Sequence, residues 1–146
     1  MRAAVCKAYG PPESLVVEDV DDPVAEPGHV VVAVRAAAVN FPDLLLIADR
    51  YQLSVPVPFT PGSEFAGEVV EIGDGVDAVA VGDRVCGTTF HGAFAERVLV
   101  DAASVRPVPA GVSDEDAAAF FVTHATAWHA LRSVAALQAG CLLYTS

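Results

Sequence analysis

The side chains able to hold a metal ion are few in this chain and poorly spaced. Cys6, Cys86 and Cys141 lie far apart, and the four histidines are His29, His91, His124 and His129. A structural zinc site takes four cysteine or histidine ligands at short spacing. The segment between Val85 and Phe94 offers one of each, Cys86 and His91. His124 and His129 are five apart on a predicted helix and so do not share a face as residues three or four apart would. His29, next to Gly28, reads as solvated, and His91 as an exposed loop histidine. No metal site is expected.

A phosphate-binding turn has a false echo. Gly73-x-Gly75-x-x-Ala78 fits the G-x-G-x-x-A pattern and follows a predicted strand. The mechanism needs a helix N-terminus to receive the pyrophosphate. Only Val76 to Val81 separate Gly75 from the next turn at Gly82-Asp83, too few for a helix of about 10–12 residues. The pattern reads as a β-turn.

The remaining polar candidates each have an ordinary structural role. Asn40 stands where a helix cap belongs, with Pro42 and Asp43 in the first turn. Tyr51, in a proline-rich loop, would serve as a partly buried anchor. Thr126, early in a helix, would bond to the local backbone.

The elements that must carry these residues are mostly strands. Residues 3–8 and 15–20 flank the turn cluster Gly10-Pro11-Pro12-Glu13, which predicts a hairpin. Residues 30–39 are rich in valine and alanine, as in a strand buried on much of both faces. A short helix is predicted over 41–49, a loop over 51–61 with three prolines, and strands over 64–72, 84–87 and 94–100. Many short strands with turns between them suggest a barrel or sandwich. The period then changes. Ser113 is a plausible N-cap, followed by the acidic Asp114, Glu115 and Asp116. Ala127, Trp128, Leu131, Val134 and Ala135 fall at helical spacing, and Gly140 is a reasonable stop. The fold class read from this order is mainly β with a few helices (α+β).

A chain of 146 residues fits a single domain with a real core, and 53% apolar residues mark globular composition. The net charge of −11 argues against nucleic acid and anionic membranes, which need basic surfaces. No leader pattern opens the chain, and no apolar stretch approaches the ~18–20 residues of a membrane span. Three scattered cysteines suit a reducing compartment, so a cytoplasmic location is expected.

Three runs carry a family resemblance. They are Ala36-Ala37-Ala38-Val39-Asn40-Phe41-Pro42-Asp43-Leu44, Pro61-Gly62-Ser63-Glu64-Phe65-Ala66-Gly67-Glu68-Val69-Val70, and Val81-Gly82-Asp83-Arg84-Val85. Together they resemble the N-terminal domain of the medium-chain dehydrogenase/reductases. The match runs from Met1 to about Gly140 and implies a partly open barrel of the GroES-like type, followed in the family by a Rossmann half. In the zinc alcohol dehydrogenases of that superfamily, the positions of Asn40 and Ser63 hold the metal-binding cysteine and histidine. An amide and a hydroxyl cannot replace a thiolate and an imidazole as zinc ligands. The chain therefore resembles the zinc-free branch, the quinone oxidoreductase and zeta-crystallin group.

The resemblance further implies that Asn40 is catalytic and faces the nicotinamide end of NADPH. Tyr51 would edge the substrate pocket, with Asp43 beside it holding the loop, and Thr126 would lie near the cofactor. Leu45 departs from some quinone reductases, which carry tyrosine there. The implied reaction is NADPH-dependent hydride transfer to a quinone or an α,β-unsaturated carbonyl compound, in a homodimer. Its alternatives are enoyl-thioester or alkenal reduction and a non-catalytic GroES-like binding module. The implied division is a catalytic domain over 1–110, helices over 111–140 leading toward the Rossmann half, and a truncated or non-native tail over 141–146.

Overall fold

The computed structural model describes residues 1–141. Strands β1 (Arg2–Val5) and β2 (Val16–Asp19) pair antiparallel, with a single 3-10 turn at Pro12–Ser14 between them. This is the hairpin that the glycine and prolines predict. β3 (His29–Ala38), α1 (Phe41–Ile47), β4 (Glu64–Ile72), β5 (Arg84–Thr88), β6 (Arg97–Asp101) and β7 (Val105–Pro107) follow. The five later strands form one antiparallel sheet in the order β6-β3-β4-β5-β7.

The two sheets remain open. They are stitched by isolated bridges, Ala3 to Ala95 and Cys6 to Phe59, with Ala4 N donating to Phe94 O over 2.9 Å and Cys6 N to Phe59 O over 2.8 Å. The fold is mostly β sheet with a few helices.

β3 lies between β4 and β6, which explains its composition. Val30, Val31 and Val32 have no exposed surface, because both faces of the sheet are covered at its centre. On one face Val30, Val32, Phe65, Val69, Val85, Val98 and Val100 form the main core. On the other, Ala66 and Cys86 meet Ala117 and Ala118 of α2 (Asp114–Ala118). Small residues on both sides let the helix backbone approach the sheet. Ser113 Oγ caps α2 by accepting from Asp116 N over 3.0 Å, and Arg84 ties its first turn to β5 through Asp114 Oδ1 at 2.6 Å. A third cluster joins Cys6, Leu46, Ile47, Val55 and Phe59 beneath α1 and the proline-rich loop.

Several boundaries differ from the expectations, and β1 stops at Val5 rather than at residue 8. β6 begins at Arg97, because the residues before it bond elsewhere: Ala93 N donates to Gly62 O and Phe94 N to Pro61 O. The last helix starts at Phe120 and is wound mainly with wide turns, Phe120–Ala125 and His129–Val134, around a short α segment Thr126–Trp128. It ends at Val134, well before Gly140, where Ala136 takes a φ of 47°. Trp128 and Val134 on its apolar stripe are 66% and 72% exposed, so the stripe does not pack on the core as helical spacing alone would suggest. Cys6 and Cys86 are buried and Cys141 is exposed. The tail expected over 141–146 lies, beyond Cys141, outside the described residues. Among the described residues no helix is long and apolar enough to cross a membrane.

Candidate functional site

Glu64 opens β4 immediately after the turn Pro61-Gly62-Ser63, and its side chain is fully buried. A carboxylate removed from water needs donors, and three N–H groups supply them. Asn40 Nδ2 donates to Oε2 over 3.1 Å. Oε1 accepts from Val122 N over 3.1 Å and from Phe121 N. Glu64 thus joins the sheet, the start of α1 and the first turn of the helical run 120–134.

Asn40 ends the β3 segment in an extended conformation and caps α1. Its own backbone N–H donates to Asp43 Oδ2 over 2.8 Å, and Asp43 N donates to the Asn40 carbonyl over 3.0 Å. This is a capping box, in which residue N3 reaches back to the cap. Pro42 fits the first turn because a helix N-terminus asks nothing of its missing N–H. Asn40 is only 7% exposed and Asp43 not at all.

Burial pushes the Asp43 carboxyl pKa upward. The Asn40 N–H and the nearby Ser63 hydroxyl oppose that shift, and the charge of Glu64 adds to it. Neither Asp43 Oδ1 nor Ser63 Oγ makes a well-formed hydrogen bond. Above the ordinary carboxylate range the unfolded chain has released this proton while the folded chain still holds it. Folding there takes up a proton, so this residue's contribution to stability falls as pH rises through that window and stays low above it. Asp43→Asn keeps an acceptor for the Asn40 N–H and removes the buried charge. Urea unfolding of the two proteins across pH 4–8 should show the variant gaining on the wild type as pH rises. A constant difference would show that Asp43 does not titrate abnormally.

Beside this network lies a cavity of about 200 Å³, walled by Pro42, Leu46, Tyr51, Ser63, Thr88, Thr89, Phe90 and Val122. Tyr51 and Phe90 tilt against each other at its edge, with ring centres 6.3 Å apart. His91 is exposed at the same loop and packs edge-on to Phe59 and Phe90. These neighbours partly desolvate it and lower its pKa.

Of the residues predicted to form a site, Asn40, Asp43 and Tyr51 come together around this corner. Tyr51 lines the cavity, whereas Asn40 and Asp43 lie behind its wall. Thr126 is exposed on the helical run and does not line the cavity. Sequence reasoning missed Glu64 as the centre of the network and Phe90 as the partner of Tyr51. The available signal for Glu64 was a single acidic residue between a Pro-Gly-Ser turn and the apolar Phe65-Ala66. Among the described residues no three of His, Cys, Asp and Glu gather closely enough to hold a metal ion. At Gly75, where the false phosphate motif falls, the backbone forms a turn with φ of 80°.

The alcohol dehydrogenase GroES-like domain family matches residues 26–110. The chain is 39% identical over 139 residues to quinone oxidoreductase-like protein 2 of Mus musculus, covering 95% of this chain and 39% of that protein. It is 40% identical over 114 residues to a mycocerosic acid synthase-like polyketide synthase of Mycobacterium tuberculosis, covering 78% of this chain and 5% of the synthase. A solved Escherichia coli quinone oxidoreductase complexed with NADPH superposes with a TM-score of 0.86 at 28% identity, over 90% of this chain and 40% of that one. The chain thus spans about two-fifths of the length of the quinone oxidoreductase-like relative.

Proposed function

Since the chain belongs to the alcohol dehydrogenase GroES-like domain family, within the medium-chain dehydrogenase/reductases, we propose that it is the catalytic half of a zinc-independent, NADPH-dependent oxidoreductase. Its acceptor would be a quinone or a related electron-poor carbonyl compound. The observation that carries this reading is the donor set at the Asn40–Glu64 corner. By the family resemblance, an amide and a hydroxyl, Asn40 and Ser63, would stand where the zinc-dependent members hold cysteine and histidine. Without a Lewis acid to polarise oxygen, such a corner suits acceptors that need little activation.

The nicotinamide, when bound, supplies the hydride. This chain's residues provide one wall for it. The cavity of about 200 Å³ is below the roughly 300 Å³ at which small-molecule pockets begin, so a dinucleotide needs further surface. Tyr51 and Phe90 would flank a flat acceptor and exclude water. Asn40, held by Glu64, would orient the reacting end, and Thr126 would approach the cofactor from the helical run. Residues 1–110 would form this catalytic half and 111–140 the connection onward, in a cytoplasmic homodimer. Enoyl-thioester or alkenal reduction, which the family resemblance also allows, is the second reading.

The test uses this chain joined to a C-terminal half such as its relatives carry, since it spans 39% of the quinone oxidoreductase-like relative. The joined protein should oxidise NADPH with a benzoquinone, at a rate unchanged by a chelator and without stoichiometric zinc. Activity that depends on added zinc would overturn the zinc-independent reading. Turnover of enoyl thioesters with quinones ignored would promote the second. The 146-residue chain alone should not bind NADPH at micromolar concentration, and titration calorimetry showing that it does would place the cofactor site within these residues.

A further inference from the structure

We propose that Glu64 is a positioning residue for Asn40, fixing which way its amide faces and coupling that orientation to the first turn of the helical run 120–134. Its catalytic consequence rests on the role proposed for Asn40 above. Oε1 of Glu64 faces two backbone N–H groups, those of Phe121 and Val122. Backbone N–H groups cannot invert, so that side of residue 64 must be an acceptor. Oε2 faces Asn40 Nδ2 at 3.1 Å. Because a carboxylate accepts at both oxygens, the Asn40 amide must present its NH2 to Glu64, with its oxygen left on the side of the α1 cap.

Both partners are shut off from water, with Glu64 fully buried and Asn40 7% exposed, so no solvent competes for either orientation. The bonds also bridge sequence separations of 24, 57 and 58 residues. A displacement of the helical run therefore pulls directly on the carboxylate that holds Asn40. This gives the run a physical path to the candidate site, although its own Thr126 lies away from the cavity.

Glutamine at position 64 separates this role from mere space-filling. In Glu64→Gln the backbone donors capture the new carbonyl oxygen, which turns the new NH2 toward Asn40 Nδ2. Two donors then face each other, and the Asn40 amide must flip or withdraw. In Asn40→Asp two buried acceptors oppose each other instead. The double variant Glu64→Gln with Asn40→Asp reverses the polarity of the bond and restores it.

Asn40 is the only asparagine in the chain, beside two glutamines, Gln52 and Gln138. Its side-chain NH2 signals can therefore be identified in a ¹H–¹⁵N spectrum of the 146-residue chain by asparagine-selective labelling. In Glu64→Gln those signals should move by several tenths of a ppm on the proton axis. Each single variant should lower the thermal midpoint by roughly 5–10 °C, as the loss of a buried charged hydrogen bond requires. The double variant should recover at least half of the larger loss. Unmoved Asn40 NH2 signals, or a double variant no more stable than the worse single, would overturn the proposal. Neither measurement involves a cofactor, so failure here and failure of the functional reading are distinguishable.

Discussion

Gly67→Ala should leave little folded protein. Gly67 sits in the middle of β4, opposite Val34 of β3 and Val85 of β5. A methyl group added there would lie 2.0 Å from the carbonyl oxygen of Ala33 and 2.9 Å from its carbon. Both are backbone atoms of the neighbouring strand β3, so no side chain can swing aside. Relief requires β3 and β4 to part at the bulge between Val34 and Ala36, where the register already shifts. Overpacking that cannot relax costs about 4 kcal/mol or more, against a total stability of roughly 5–15 kcal/mol for a domain. The thermal midpoint should fall by roughly 10 °C or more, or soluble protein should be lost. Gly75→Ala is the control. Gly75 has a φ of 80° but open space around the added carbon, so only the backbone penalty of about 1 kcal/mol applies. A Gly67→Ala protein that melts within a few degrees of wild type would show that the strands approach less closely than described.

That glycine also shows how far the sequence could be read. Gly67 belongs to the run Gly62-Ser63-Glu64-Phe65-Ala66-Gly67, which carried the resemblance, yet the reason for a glycine there is contact with a strand more than thirty residues earlier. Features governed by local rules were legible. The hairpin around Gly10, the strand Glu64–Ile72, the cap at Ser113 and the helix behind Asn40 all depend on neighbours a few residues away. Features governed by distant partners were not. β6 starts late because Ala93 and Phe94 bond to Gly62 and Pro61, and no periodicity in 94–100 announces that. The helical run has the apolar spacing of a packed helix, but spacing cannot say whether anything lies opposite it. Glu64 is the clearest case. Its type and position were visible, but its three donors come from Asn40, Phe121 and Val122, and only the folded chain brings them together.

Asn40 carries two roles that a pair of substitutions should separate in the joined protein. As a cap it begins α1, and as an amide donor it holds Glu64 and, under the proposed function, orients the reacting end of the site. Asn40→Ala removes both. Asn40 makes no well-formed side-chain hydrogen bond to the helix, so the weakened cap costs at most about 1 kcal/mol, and with the donor withdrawn from Glu64 costing about the same the midpoint should fall by several degrees. Misplacing the reacting groups is the larger penalty, with kcat expected to drop about 100-fold, equivalent to about 2.7 kcal/mol in the barrier. Asn40→Ser then distinguishes the roles. Serine is as good a cap as asparagine, so much of the stability should return. Its short hydroxyl cannot span the 3.1 Å contact that the amide nitrogen makes with Glu64 while also capping the helix, so turnover should remain low. Melting curves and quinone-dependent NADPH oxidation, measured on the same preparations, give both quantities. If Asn40→Ser recovers activity in step with stability, Asn40 acts through the helix alone, and the residue that orients the reacting end must be sought among the cavity walls, with Tyr51 first.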